Sequence, residues 1–175
     1  QAGLPLRGKS LNVASASADK LRQNQELKDL IEALGCGAGE RFDIARLRYG
    51  RVVIMTDADV DGAHIATLLM TFFYKELPEL VRQGRVYLAQ PPLYRLQAGG
   101  KSVYAKDDAD RERLLKKEFK ANQKVEVSRF KGLGEMPPAS LKETTMDPKR
   151  RTLLQVVLPP ELRAETSNLV ETLMG

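Results

Sequence analysis

The sequence has no tryptophan, one cysteine and one histidine among its 175 residues. Cys36 has no second cysteine to pair with, so no disulfide forms within the chain, and one cysteine with one histidine cannot supply the four ligands of a structural zinc site. No apolar run approaches the roughly 20 residues of a membrane-spanning helix, and no basic-then-apolar leader is present at the start. We therefore expect a soluble intracellular protein whose metal sites, if any, use oxygen ligands.

Composition and charge indicate a folded chain with an anionic partner. Hydrophobic residues make up 42% of the sequence, enough for one sizeable core and a small second lobe, and the net charge is +5. Basic residues precede the first acid of the chain and recur late in it, at Arg7, Lys9, Arg129, Lys131, Lys149, Arg150 and Arg151. Each of them could equally be a solvated surface cation, so charge alone does not establish nucleic-acid binding.

Three aspartates at alternate positions follow a short apolar run in the centre of the sequence. Residues 52–55 are typical of a buried strand, and Asp57, Asp59 and Asp61 come directly after it. Side chains two apart on an extended backbone point the same way, about 6.5 Å apart, so Asp57 and Asp59 could bind one hard cation or two neighbouring ones. Open α/β sheets place their chemistry at this end of a strand. The motif predicts a magnesium site, and the alternative is a solvated acidic loop.

A helix is predicted directly after the acids. Asp61 stands at its start and is expected either to cap the helix or to join the metal site. Apolar residues recur at helical spacing and form one face, at Ile65, Leu68, Leu69, Phe72 and Phe73. The spacing D-x-D-x-D-G also opens an EF-hand loop, but that loop follows a helix and carries glutamate at position 12, where this sequence has Leu68. An EF-hand is therefore excluded.

The remaining pattern predicts alternating helices and strands. Gly35 is expected to end a first helix, and the glycines up to Gly39 form a connection and not a phosphate loop, since they follow a helix and lack the Lys-Ser/Thr of a P-loop. The predicted elements are a helix over 17–34 capped by Ser17, a short amphipathic piece over 42–49, a strand over 85–89, a hairpin of residues 94–96 and 103–105 joined through Gly99 and Gly100, an exposed helix over 107–120, a strand over 125–130 and a last helix from Pro159. The glycines of the loop 131–134 allow close backbone approach, and Lys131 could meet a phosphate or one of the acids.

Several ordered motifs carry a resemblance to a known family. They are Pro5-Leu-Arg-Gly-Lys9 with Leu11-Asn-Val13, Thr56-Asp-Ala-Asp-Val-Asp-Gly62 with His64-Ile-Ala-Thr-Leu-Leu69, Gln90-Pro-Pro-Leu-Tyr94, Arg129-Phe-Lys-Gly-Leu-Gly-Glu-Met136 and Lys142-Glu-Thr-Thr-Met-Asp-Pro148. Together they resemble the TOPRIM domain and C-terminal extension of B subunits of bacterial type IIA DNA topoisomerases, which include topoisomerase IV and DNA gyrase. The resemblance spans nearly the whole chain.

The resemblance implies a fold and a domain division. We expect an α/β, Rossmann-like TOPRIM sheet flanked by helices over residues 1–96, and a small α+β extension over 97–175. The family's TOPRIM domain begins with a strand ending in Glu-Gly-Asp-Ser, whose glutamate completes the metal site, and no such segment precedes Gln1. The chain also stops short of the family's C-terminal end, and the ATPase and transducer regions are absent. The expectation is a fragment that is inactive alone.

The implied chemistry is cleavage and religation of double-stranded DNA by a tyrosine of the partner A subunit, with no catalytic residue in this chain. By resemblance, Mg²⁺ is bound by Asp57, Asp59 and Asp61, with Mn²⁺ or Ca²⁺ as substitutes, and ATP is bound only by the full-length subunit. The residues implied to contact DNA are Lys9, Asn12, His64, Arg129 and Lys131, and Arg7 is implied to line the quinolone pocket. The bottom-up alternative for His64 is a structural hydrogen bond.

The resemblance further implies an A2B2 assembly in the bacterial cytoplasm, associated with the chromosome. The segment His64-Ile-Ala-Thr67 and the compact run over 98–124 favour topoisomerase IV over gyrase. A basic DNA-binding module without catalysis is the rival from a different class. A primase or nuclease with a TOPRIM domain is a third possibility, against which the motifs over 129–135 and 142–148 argue.

Overall fold

The protein, represented by a computed structural model, is described over residues 1–7 and 24–157. The helices and strands are α1 (Gln25–Leu34), β1 (Val52–Ile54), α2 (Val60–Glu76), α3 (Pro78–Arg82), β2 (Val86–Ala89), β3 (Tyr94–Ala98), β4 (Lys101–Ala105), α4 (Asp108–Glu118), β5 (Glu126–Arg129), α5 (Pro138–Leu141) and β6 (Leu153–Gln155). Tight 3₁₀ turns occupy Gly39–Arg41, Ile44–Arg46 and Leu133–Glu135, and Lys142–Met146 forms a π-helical turn. The predicted α/β fold class is confirmed.

Of the described residues, one compact unit contains 1–7, 24–54, 64–88 and 155–157. Strands β1 and β2 pair in parallel, with Val52 opposite Val86 and Ile54 opposite Leu88, in a sheet of order β1-β2-β6. A parallel pair needs a crossover connection, which α2 and α3 supply. The predicted apolar face of α2 is buried at Leu68, Leu69, Phe72 and Phe73, and only Ile65 of that set is half-exposed. This buried face fixes the helix that follows the acidic motif.

The core of this unit also contains the single cysteine. Cys36 is fully buried among α1, α2 and the strands' apolar side chains, and burial raises the pKa of its thiol. A thiol held protonated in an apolar core is unreactive. Cys36 is therefore a packing residue.

The other compact unit consists of Met55–Ala63 and Ala89–Leu154. Its sheet has the order β4-β3-β5, and both pairings are antiparallel. The predicted hairpin is confirmed: Gly99 and Gly100 connect β3 to β4 with φ values of 56° and 78°, which a two-residue turn of type I′ requires. Helix α4 is exposed as predicted, and its Leu114 and Leu115 pack against a small core of Tyr94, Leu96, Ala98, Ala105 and Phe119.

The described part of the first predicted helix begins at Gln25. Asn24 has an extended backbone, φ −69° and ψ 119°, and its side chain accepts the N–H groups of Glu26 and Leu27. Because asparagine is a strong N-cap, α1 starts at Gln25 and does not run continuously from residue 17. The proposed cap at Ser17 and the helix from Pro159 lie outside the described residues. Gly35 ends α1 in the left-handed conformation, φ 76°, as predicted.

The predicted division between residues 96 and 97 falls inside β3, whereas the compact units divide after Ile54, Ala63, Leu88 and Leu154. The division into two domains at residue 96 stays a prediction.

Over residues 1–7 and 24–157, no helix is long and apolar enough to cross a bilayer.

Candidate metal and DNA-binding site

Asp57 is held by a backbone amide from a distant part of the chain. It lies after the end of β1 and is exposed, and its Oδ1 accepts the N–H of Leu133 at 2.7 Å. The prediction that glycines in the loop 131–134 permit close approach is supported by Gly132, where an added Cβ would lie 3.1 Å from both carboxylate oxygens of Asp57. The contact with the acid is thus made by the Leu133 amide, not by the Lys131 ammonium.

Asp59, and not Asp61, caps helix α2. The Oδ1 atom of Asp59 accepts the N–H of Gly62 at 2.7 Å, and its carbonyl oxygen accepts the N–H of Ala63 at 3.1 Å. The helix begins at Val60, so Asp61 lies inside the first turn, where its negative charge interacts favourably with the helix dipole. The expectation that Asp61 caps the helix is therefore wrong by two residues.

Asp59 caps α2 and is also a candidate metal ligand. Two substitutions at this position separate the capping role from the role of the negative charge. Asp59→Ala should lower the free energy of unfolding by about 1 kcal/mol, because the Gly62 amide loses its acceptor. Asp59→Asn should leave stability nearly unchanged, because asparagine caps as well as aspartate does. Chemical denaturation of the two variants measures the difference, and equal stability of both would contradict the cap assignment.

Gly62 packs directly on the backbone of the acidic segment. It is buried, and an added Cβ would lie 2.0 Å from the carbonyl oxygen of Asp57. No side chain fits at this distance, so position 62 requires glycine. The segment from Asp57 to Gly62 is therefore fixed by two local contacts: the Asp59 cap and this close approach.

The donor chemistry of the acidic segment fits a hard divalent cation. Asp57 and Asp59 each use Oδ1 for a backbone hydrogen bond, and within the described residues their Oδ2 atoms accept none. Magnesium is typically bound by one or two carboxylates, with water and substrate phosphates as the other ligands. Within the same part of the chain, no three acidic, histidine or cysteine side chains converge into a complete site. Two carboxylates from this chain therefore fit the ion, with further oxygens required from elsewhere.

The basic residues predicted to contact DNA are placed as follows. Arg129 and Lys131 are exposed on either side of Phe130, which is 6% exposed, and they lie in the same compact unit as the acids. His64 is exposed on α2, and Arg7 is exposed with its backbone N–H donating to the carboxylate of Glu26 at 2.9 and 3.0 Å. Lys9 and Asn12 lie outside the described residues. The roles of all six residues in DNA or drug binding stay predictions.

Two tyrosines, Tyr94 and Tyr104, form hydrogen bonds with carboxylate side chains. Tyr94 is buried, and the hydrogen bond from its phenol to Asp108, reinforced by burial, raises the pKa of that phenol above its ordinary value. The phenol of Tyr104 is 3.2 Å from Ser140 Oγ and 3.3 Å from Glu143 Oε2. The raised pKa means that the phenol of Tyr94 ionises less readily than a free phenol.

Comparison with known proteins defines the class. Residues 1–91 match the sequence model of the Toprim domain, and residues 122–175 match that of the DNA gyrase B subunit, carboxyl terminus. The chain belongs to the Toprim family. Toprim domains of topoisomerases generally bind divalent metal ions, which agrees with the oxygen donors described above.

The more particular resemblance is to B subunits of bacterial type IIA topoisomerases, and it is confirmed. Over the whole chain, it is 62% identical to the B subunit of DNA topoisomerase 4 from Caulobacter vibrioides and 57% identical to the protein of that name from Bartonella bacilliformis, covering 25% of each. It is 50% identical to the B subunit of DNA gyrase from Thermotoga maritima, covering 27%. The chain thus spans about a quarter of the length of these relatives.

Proposed function

We propose that this chain is the magnesium- and DNA-binding part of the B subunit of an ATP-dependent type IIA topoisomerase, topoisomerase IV. In this function it supports cleavage and religation of double-stranded DNA by a tyrosine of the A subunit, within an A2B2 assembly on the bacterial chromosome. The observation that carries the proposal is the pair of exposed carboxylates after a parallel strand, each fixed through one oxygen by a backbone amide. If the acids only formed a solvated loop, their carboxylates would not need to be held by backbone amides.

We propose two groups of residues in this chain: ligands of the metal and contacts to DNA phosphates. The partner tyrosine forms a bond to phosphorus while the bond from phosphorus to the 3′ oxygen breaks. When bound, Mg²⁺ supplies charge stabilisation for the leaving oxygen and an anchor for a neighbouring phosphate. We propose that Asp57 is shared between two metal positions and that Asp59 is a ligand of the second metal position. Asp61, in the first turn of α2, adds negative charge to the same segment.

Arg129 and Lys131 are proposed to contact DNA phosphates, together with His64, Lys9 and Asn12. The buried ring of Phe130 directs its two neighbours to the surface, and exposed cations on a fixed strand end suit backbone contacts that position DNA without reading its sequence. The Arg7 side chain is proposed to line the drug pocket. DNA would then be the anionic partner that the net charge of +5 indicates.

Lys131→Ala should weaken DNA binding without changing stability. Loss of one phosphate contact should make the slope of log affinity against log salt concentration shallower by about 0.9. The matched control is Lys117→Ala, which removes an exposed lysine of α4. Fluorescence anisotropy of labelled duplex DNA at several salt concentrations measures both slopes. An unchanged slope in Lys131→Ala would remove Lys131 from the interface.

The same region of the gyrase B subunit is the second candidate, favoured by the 50% identity to the gyrase protein of Thermotoga maritima. Topoisomerase IV is preferred because two of the topoisomerase 4 relatives are 57% and 62% identical. Relaxation, supercoiling and decatenation assays of the assembled enzyme separate the two. Supercoiling by the assembly would assign gyrase.

The function is tested with a full-length B subunit that contains this sequence, mixed with its A subunit. Plasmid DNA is incubated with Mg²⁺ or with a chelator, the complex is trapped with detergent, and linear DNA with protein attached to its ends is measured. Cleavage that requires Mg²⁺ and leaves DNA linked to the A subunit supports the proposal. DNA binding without metal-dependent cleavage would indicate a non-catalytic DNA-binding module instead.

A further inference from the structure

We infer that the backbone of Gly132 and Leu133 positions the Asp57 carboxylate and so sets the metal affinity of the site. The inference rests on the metal-binding part of the proposed function, and it assigns a role to a loop 76 positions away from Asp57 in sequence. The two residues act through Asp57 and touch neither the metal nor the reacting atoms. They are positioning residues.

The geometry leaves the carboxylate little freedom. The Leu133 N–H donates to Oδ1 at 2.7 Å, within the short range expected of a charge-assisted bond. At Gly132, an added Cβ would lie 3.1 Å from Oδ1, 3.1 Å from Oδ2 and 3.2 Å from Cγ. The whole carboxylate therefore lies against the Cα of Gly132. A Cβ at position 132 would require the carboxylate to shift by a few tenths of an ångström from its position on the Leu133 amide.

The loop is rigid enough to serve as a support. On one side, the Phe130 N–H donates to the carbonyl oxygen of Leu93 at 2.8 Å and its ring is buried; on the other, Met136 is buried. Between these anchors, the Glu135 N–H donates to the carbonyl oxygen of Gly132 at 3.1 Å. A carboxylate supported by a rigid loop keeps one orientation, which lowers the cost of ordering it around a cation.

The consequence is a preorganised ligand. With Oδ1 fixed by the amide, Oδ2 of Asp57 is presented in one direction to a cation. Partners that orient a metal ligand are typically worth about 10 to 100-fold in metal affinity. We expect the same range for the loss of the contact described here.

The first test substitutes the glycines of the loop in a full-length B subunit. Gly132→Ala should weaken Mn²⁺ binding, measured by electron paramagnetic resonance, by about 10 to 100-fold. Gly134→Ala is the matched control two positions on, since an added Cβ there meets nothing within 4 Å and its backbone is not left-handed. Equal Mn²⁺ affinity in the two variants would overturn the inference.

The second test removes the donor. Leu133→Pro deletes the N–H at the first position of a 3₁₀ turn, where proline is tolerated, and Gly132 already has the extended backbone that precedes proline. Leu133→Ala deletes the side chain and keeps the N–H. Mn²⁺ affinity should fall in Leu133→Pro and not in Leu133→Ala. The same loss in both would assign the effect to packing and contradict the inference.

A third readout needs no metal and separates this inference from the proposed function. Hydrogen exchange of the Leu133 amide, resolved by fragmentation mass spectrometry, should be slow in the metal-free wild-type protein and faster in Asp57→Ala. If the wild type bound no Mn²⁺ while this difference held, the metal proposal would fail and the positioning contact would stand. Identical exchange in wild type and Asp57→Ala would show that the contact does not hold the carboxylate.

Discussion

Replacing Asp57 by alanine is expected to lower the rate of DNA cleavage by the assembled topoisomerase about 1,000-fold or more. A bound divalent cation contributes several kcal/mol of charge stabilisation to such a reaction, and each 1.4 kcal/mol is about tenfold in rate. Asp57 carries both the carboxylate oxygen that is proposed to bind the metal and the contact to Leu133. The measurement is single-turnover cleavage of plasmid DNA at saturating Mg²⁺ by the full-length B subunit with its A subunit.

The fold should survive this change, which distinguishes a site residue from a structural one. Asp57 is exposed, and its side chain makes one hydrogen bond within the described residues, so the cost in stability is about 1 kcal/mol. Glu32→Ala, which removes an exposed acid of α1, is the control for the change in charge. Inactivity accompanied by unfolding of Asp57→Ala would make Asp57 structural, and full activity would remove it from the site.

Gly62→Ala is expected to disrupt both stability and metal binding. The added Cβ would lie 2.0 Å from the carbonyl oxygen, 2.8 Å from the carbonyl carbon and 3.0 Å from the nitrogen of Asp57. All three are backbone atoms, so relief requires movement of the whole acidic segment or of the start of α2. We expect a loss of about 3 kcal/mol in the free energy of unfolding, at the upper end of overpacking effects.

The control for Gly62→Ala is Gly50→Ala. Gly50 is exposed, has nothing within 4 Å of an added Cβ and does not have a left-handed backbone. Urea unfolding and Mn²⁺ titration of both variants measure the effect. Equal stability and equal Mn²⁺ affinity would mean that the acidic segment is not fixed by its contact with Gly62.

The local elements around the site could be predicted because their patterns are short-range. The apolar run before the acids is β1, the apolar face after them is buried in α2, and Gly99 with Gly100 makes the hairpin. Each of these depends on periodicity or on the backbone freedom of glycine within a few residues. Such signals are present in one sequence without any knowledge of the fold.

Helix starts were less predictable because several residues compete to cap them. In the described residues, Asn24 caps α1 and Asp59 caps α2, whereas the sequence pattern left Asp61 as a candidate cap for α2. Serine, asparagine and aspartate are nearly equal as caps. In the structure, the cap at Asp59 occurs together with the close approach of Gly62 to the Asp57 backbone.

The contact between Asp57 and Leu133 could be foreseen only in part. Glycines at 132 and 134 indicated close backbone approach, but Gly132 lies against a carboxylate and Gly134 against open space. No local pattern distinguishes the two, because the difference depends on where a segment 76 positions earlier is placed. The partner amide belongs to Leu133, a residue type that carries no signal of polar function.

The most direct test of the central claim is equilibrium binding of Mn²⁺ to a full-length B subunit, followed by electron paramagnetic resonance, for wild type, Asp57→Ala and Asp59→Asn. The account predicts saturable binding in the wild type that Mg²⁺ displaces. It predicts loss of that binding in both variants, while Asp59→Asn retains wild-type stability. Undiminished Mn²⁺ binding in both variants would contradict the assignment of these two aspartates as the metal ligands of this chain.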